Sequence, residues 1–270
     1  MSQPADKAMT ETLLFEHLPY EVDGGIASRA SIGLIVLATD YTIEHEWRQV
    51  FGEIEGVALY QSRIHNENLI TPESLRAMAP RIVECARVIT PDTPLDVVAY
   101  GCTSASMAIG EEGVFANIHE ARPGVACTTP ITAAFAAFAA FGAKRIGVLT
   151  PYPAEVNRIV AGYLDARGIE VPVFGSFNVD RDTLAARITP ESIERGVRRL
   201  GAEAQIDAVF VSCTSVRLLE CCAELEASLG LPLTSSNHAM AWHALRLAGV
   251  DDPIAGFGSL FELPAIPRIE

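Results

Sequence analysis

The chain has 270 residues, 49% of them hydrophobic and 20% charged, with a formal net charge of −14. That is enough for one large domain or two modest ones, of ordinary globular composition. Twenty Lys and Arg against 34 Asp and Glu exclude the basic footprint that nucleic acid or an anionic membrane requires, and no apolar stretch is long enough to span a bilayer. The first thirty residues lack a basic start followed by an apolar block, so a cytoplasmic, reducing compartment is expected. The six cysteines (Cys85, Cys102, Cys127, Cys213, Cys221 and Cys222) are then expected as thiols, and the absence of any CxxC pair argues against structural zinc.

Residues 1–30 are expected to form a poorly ordered or loosely packed arm. Ile32–Ala38 is an apolar run without alternation, the pattern of a buried parallel strand. A helix follows near Ile43–Phe51, then a strand at Val57–Ser62. Thr71 is a good N-cap with Pro72 behind it, and Leu75, Met78, Ala79, Ile82, Val83 and Ala86 give the following helix one apolar face. Leu95–Gly101 is a third strand, and Cys102 stands at its end. Strands at Arg145–Thr150, Val171–Phe177 and Ile206–Ser212, with a helix from Thr189, repeat this order up to Cys213.

The repetition is visible in the letters. Ile70–Leu75 (ITPESL) returns 118 residues later as ITPESI, Asp96–Ser104 (DVVAYGCTS) returns after 111 as DAVFVSCTS, and Ser31–Leu37 returns after 114 as Arg145–Leu149. Three strings in one order at nearly one offset indicate a duplicated unit. Alternating strands and helices then predict an α/β protein of two pseudo-twofold-related parallel-sheet domains with the active site in the cleft between them. The expected halves are residues 31–127, joined by 236–270, and residues 128–235. Phe135, Phe138 and Phe141 form one helical stripe, suited to the core or to a second subunit.

Ligands of parallel sheets bind beyond the carboxyl ends of the strands, where both Cys-Thr-Ser triplets fall. Each cysteine is expected to open a helix, whose free N–H groups suit a carboxylate and acidify a thiol from about 8.5 towards 7. Across a pseudo-twofold axis the two sulfurs would face one cleft. One thiolate could remove a proton from carbon while the other thiol delivers one to the opposite face, or a thiolate could add to a double bond that then rotates. Cys85, Cys221 and Cys222 read as core, and Cys127 as structural. His238 and His243 are off one helical face and unsuited to a metal, though His238 is a candidate cleft residue. Gly256-Phe257-Gly258 lacks the third glycine of a dinucleotide fingerprint.

At the paired cysteine motifs the chain resembles the Asp/Glu racemase superfamily, in the branch of maleate cis-trans isomerase, arylmalonate decarboxylase and the ectoine-utilisation racemase-like proteins. The resemblance spans roughly residues 31–262, and implies an active site between two pseudo-symmetric domains with no metal and no cofactor. Asp40 stands where the maleate isomerases carry an Asn that holds a substrate carboxylate, and their second such Asn falls near Asp180–Thr183. The family's Thr-Pro-Tyr loop is present as Thr150-Pro151-Tyr152, which implies that Tyr152 hydrogen-bonds substrate. Arylmalonate decarboxylases lack the first cysteine, so Cys102 favours two-sided proton chemistry over decarboxylation.

The reading is a cofactor-independent isomerase, a racemase or epimerase of a small carboxylate, an amino acid or N-acyl amino acid. Cys102 and Cys213 are its catalytic pair. Thr103, Ser104, Thr214 and Ser215 hold carboxylate oxygens, while Asp40 and Tyr152 orient the substrate. A homo-oligomer is expected. The alternatives are a maleate cis-trans isomerase and a non-catalytic carboxylate-binding protein.

Overall fold

A computed structural model describes residues 13–264. Most of the expected arm lies within them: residues 13–29 are largely exposed and form no helix or strand, and the remaining positions 1–12 lie outside the described residues. The eight strands are β1 (Ala30–Leu37), β2 (Val57–Ile64), β3 (Val97–Gly101), β4 (Ala126–Thr128), β5 (Arg145–Thr150), β6 (Glu170–Ser176), β7 (Ala208–Val211) and β8 (Leu233–Ser235). They form two four-stranded sheets of the same order, β2-β1-β3-β4 and β6-β5-β7-β8, parallel throughout. The central strands β1, β3 and β7 are buried along their whole length, as their uninterrupted apolar runs require. The short edge strands β4 and β8 follow too few apolar residues to be read from periodicity alone.

The crossover helices tie the halves together. Helix Ser236–Leu247 packs mainly against helix Pro130–Phe141, and also against β3, β4 and helix Ile43–Phe51 of the first sheet. Helix Pro130–Phe141 starts at a Thr129 cap, ends at Gly142 in the left-handed region and places Phe138 edge-on against Phe210 of β7 at 5.6 Å. Phe138 is thus in the core, whereas Phe135 lies half buried under the Arg167 guanidinium, 5.4 Å from its ring centre. Among the described residues no helix is long and apolar enough to cross a membrane.

The single apolar helix expected after Thr71 is divided into helix Pro72–Arg76, a 3-10 turn Ala79–Arg81 and helix Ile82–Val88. Pro80 explains the division, because it lacks an N–H and its ring clashes with the preceding turn. The division bends this segment over the carboxyl end of the first sheet, where Leu75 and Met78 become part of the site's wall.

Candidate active site

Both cysteines lie just past the carboxyl ends of equivalent strands. Cys102 follows β3 in extended backbone (φ −147°) and precedes helix Thr103–Ile109. Its carbonyl accepts the Ser106 N–H at 3.0 Å and the Ser106 hydroxyl at 2.6 Å. Cys213 follows β7 with φ +142°, a strained conformation for a residue with a Cβ. No helix opens there, contrary to expectation, and regular structure resumes only at the 3-10 turn Leu219–Cys221.

A carboxylate from the first half satisfies the donors of that irregular loop. Glu46, on helix Ile43–Phe51 and 2% exposed, accepts the N–H groups of Leu218 at 2.8 Å and Leu219 at 2.9 Å. Its other oxygen accepts Asn237 Nδ2 at 2.7 Å, and the same amide donates to the Thr214 carbonyl at 2.7 Å. Ser236 joins the two cysteine loops directly, since its hydroxyl oxygen accepts the Cys213 N–H at 2.9 Å and the Thr103 hydroxyl at 2.7 Å.

The two thiols are each 4% exposed and line one cavity of about 20 Å³, together with Thr103, Ser104, Tyr152, Thr214 and Asp182. Room on the scale of a single water means that substrate entry requires the cleft to part. Ser104 Oγ lies 3.8 Å from Cys102 Sγ. The Tyr152 side chain is buried and lines the same cavity as Ser104 and both cysteines. The Tyr152 backbone is held through its carbonyl, which accepts Asn157 Nδ2 at 2.8 Å and Ser176 Oγ at 2.6 Å.

Asp40 and Ser215 are adjacent to this cavity without lining it. Asp40 Oδ1 accepts the N–H groups of Thr42 at 2.7 Å and Ile43 at 3.0 Å, so it caps helix Ile43–Phe51. Its Oδ2, fully buried beside Thr214, has no hydrogen bond of regular geometry. The Ser215 hydroxyl donates to Asp182 Oδ1 at 2.7 Å, and the Thr39 hydroxyl donates to Asp182 Oδ2. Asp182 therefore carries the partnering that the sequence assigned to a substrate carboxylate at Ser215.

Burial dominates the electrostatics. It pushes the Asp40 carboxyl up to about 7 against its two backbone donors, with the Asp182 charge adding to the rise. Burial likewise raises the Cys102 thiol to about 12, with the Ala105 N–H opposing and the Asp182 and Asp40 charges reinforcing it. Cys213 is raised further still by burial and the same two carboxylates, against the Tyr152 and Ser215 donors. The expected acidified thiol is thus overturned for the closed site: a helix terminus is worth about 2 kcal/mol at best, less than the desolvation of a buried thiolate beside carboxylates.

His238 is not a cleft residue. It is fully buried, its Nδ1 is 2.9 Å from the Thr234 hydroxyl and its Nε2 2.5 Å from the Phe257 carbonyl, and burial lowers it to about 4. Sequence reasoning missed Asp182, Thr39, Glu46, Ser236 and Asn237. For Asp182 the signal was its place where the family's second Asn falls; for Glu46 it was an acid on the apolar face of an amphipathic helix. Among the described residues no group of three or more His, Cys, Asp or Glu is arranged to hold a metal.

Comparison with known proteins identifies the family. The arylmalonate decarboxylase family profile matches residues 32–261. The chain is 30% identical to an arylmalonate decarboxylase of Bordetella bronchiseptica over 72% of its length and 82% of the relative's. It is 27% identical to a maleate isomerase of Alcaligenes faecalis, over 85% of this chain and 95% of that one. A liganded double mutant of arylmalonate decarboxylase superposes with a TM-score of 0.75 at 27% identity, covering 86% of this chain and 99% of the other. A maleate cis-trans isomerase mutant of Nocardia farcinica, with a covalently bound succinylcysteine intermediate, superposes with a TM-score of 0.79 at 24% identity, over 86% and 98% of the two chains. The chain belongs to the arylmalonate decarboxylase family and is an isomerase-type enzyme of the branch, within the Asp/Glu racemase superfamily, that the maleate isomerases share.

Proposed function

We propose that the protein is a cofactor-independent two-cysteine isomerase that racemises or epimerises a small carboxylate, an amino acid or N-acyl amino acid. The observation that carries this reading is the convergence of two buried thiols, from equivalent ends of two equivalent sheets, on one cavity. One sulfur, as thiolate, takes the proton from the substrate's α-carbon, and the other, as thiol, returns a proton to the opposite face. Burial keeps both sulfurs protonated in the closed site, so the thiolate forms as the cleft opens and hydrates. Thr103, Ser104 and Thr214 line the cavity with hydroxyl groups suited to carboxylate oxygens. Among the described residues that lining contains the acids Glu67 and Asp182 and no Lys, Arg or His. A dicarboxylate would meet like charge there, whereas an ammonium or amide N–H would meet acceptors.

Proton NMR of aspartate, glutamate, 2,4-diaminobutyrate, its N-acetyl forms and maleate in D2O tests the reading. Deuterium entering at the α-carbon of one compound, abolished by Cys102→Ser and by Cys213→Ser with the fold intact, is the expected result. Full activity in either variant overturns the two-thiol mechanism. The second reading is cis-trans isomerisation, with Cys102 as nucleophile and Cys213 as proton donor. The maleate isomerase relatives favour it, and conversion of maleate to fumarate in the same experiment would put it first.

A further inference from the structure

Exposed apolar surface is concentrated on one segment. Of the eleven large hydrophobic side chains that stand exposed among the described residues, seven lie between Leu13 and Ile26, at 54–85% exposure. Single exposed apolar residues are ordinary, whereas a contiguous set marks an interaction surface. From Leu18 to Asp23 the arm alternates, with Leu18, Tyr20 and Val22 on one side and Pro19, Glu21 and Asp23 on the other. That is the period of an extended segment with one apolar edge. Residues 13–23 also carry three acids, Glu16, Glu21 and Asp23, and no Lys or Arg.

A groove of matching character opens on the second half. It has a volume of about 620 Å³ and lies between the segment after β6 and helix Pro190–Glu203, lined by the apolar Phe177, Val179, Leu184 and Ile188 and by Arg187 and Arg195. Leu184, 44% exposed, is another of the eleven. Arg217 reaches the Ile188 carbonyl at 3.2 Å, and Arg195 the Ser192 hydroxyl at 2.9 Å, both neutral acceptors. Glu194 is paired with Arg198, and the acids at the margin, Asp180 and Glu191, leave the three guanidinium groups in excess. In a chain of net charge −14 this is a local reversal of sign.

We propose that residues 13–23 dock in this groove on a second copy of the chain, so that two copies exchange arms about a twofold axis. Within one chain the arm and the groove do not meet, since no arm residue lines the groove. The arm departs from the amino end of β1, where the Arg29 N–H bonds the Gly56 carbonyl at 2.9 Å and the Arg29 side chain pairs with Asp252. The groove lies beyond the carboxyl end of β6 in the other half. Charge selects this groove: of two other open grooves, one carries Glu226 and Glu262, which would repel the arm, and the other a single arginine, Arg158. At about 150 Å² for each aromatic and about 80 Å² for each aliphatic side chain, one arm buries about 600 Å². Two exchanged arms bury about 1,200 Å², the size at which specific interfaces become stable, and an isologous pairing satisfies both arms and both grooves at once. Leu184 belongs to the short helix Asp182–Ala185, whose first residue lines the candidate site, so the partner's arm buttresses that wall.

The test is independent of the substrate. Light scattering on the full chain should give a dimer. Phe15→Asp combined with Tyr20→Asp alters two exposed side chains, and Arg187→Glu combined with Arg195→Glu alters the groove. Each pair of changes should raise the dimer's dissociation constant at least about tenfold, with an unchanged circular dichroism spectrum. A photo-crosslinker, benzoylphenylalanine in place of Tyr20, then reads where the arm docks and on which copy, in a mixture of isotope-labelled and unlabelled protein. Crosslinked peptides should join the arm to residues 177–196, with one peptide labelled and the other not. A monomeric parent, a dissociation constant unmoved by either pair of changes, crosslinks confined to one copy, or crosslinks to another surface would each overturn the proposal.

Discussion

Asp40 shows how one residue can serve the fold and strain it. Its Oδ1 caps a helix, while its Oδ2 is buried without a regular hydrogen bond. Burial raises the carboxyl to about 7, above its unfolded value of about 3.9. Folding therefore favours the protonated acid. The associated stability is fully present below about pH 4 and is lost as pH rises through about 7. Asn in its place keeps an oxygen for the cap and carries no charge. Between pH 5 and pH 8, Asp40→Asn should gain about 2 to 3 kcal/mol relative to the parent protein in urea unfolding. Parallel pH profiles for the two proteins would show that Asp40 titrates as an ordinary acid.

At the scale of elements, the strands and the two cysteines were legible because each buried parallel strand is a short apolar run and each appears twice. DVVAYGCTS and DAVFVSCTS place Cys102 and Cys213 correctly without any coordinate. What was not legible lies where the copies differ. Cys102 precedes a helix, and Cys213 sits at φ +142° ahead of a loop. The donors of that loop are bound by Glu46, more than 160 residues away in sequence, and a long-range partner leaves no local pattern. Pro80 was visible, but apolar periodicity outweighed it and the helix break was missed. Asp182 has no counterpart in the repeated strings; the resemblance pointed only to the stretch Asp180–Thr183, and its bonds to Ser215 and Thr39 single it out there. If Glu46 holds the Cys213 loop, Glu46→Gln should matter more than a peripheral acid. It exchanges one carboxylate oxygen for an NH2 group, which faces either the loop N–H donors or the Asn237 amide, donor against donor. A loss of about 1 to 3 kcal/mol in stability is expected, with slower turnover and an unchanged rate of iodoacetamide labelling at the half-buried Cys127, which lies away from this loop. Wild-type stability in the variant would show that the loop holds itself.

Across the whole molecule, the same contacts that build the site also close it. Loop residues 66–70 of the first half meet residues 180–183 of the second: the Ile70 N–H donates to the Asp180 carbonyl at 3.0 Å, and the Asp182 N–H to the Asn68 carbonyl at 3.1 Å. Asn68 Oδ1 accepts both the N–H and the hydroxyl of Thr183. These bonds lie beyond the sheets and hold together loops rather than strands. Opening them admits substrate at the cost of a few hydrogen bonds, each worth about 1 kcal/mol net, while the two sheets stay folded. Hydrogen exchange should therefore separate the two scales. The amides of Ile70, Asp182 and Thr183 should exchange well before those of β1, β3, β5 and β7, because local opening lies below global unfolding in free energy. A bound substrate that stabilises the closed state should slow these loop amides and leave the strands unchanged. Asn68→Ala, which removes the side-chain bonds to Thr183, should speed loop exchange about threefold to tenfold and raise KM with little change in kcat. If the loop amides exchange only with global unfolding, the cleft does not open this way, and substrate must enter by moving the segment around Leu75 and Met78 instead.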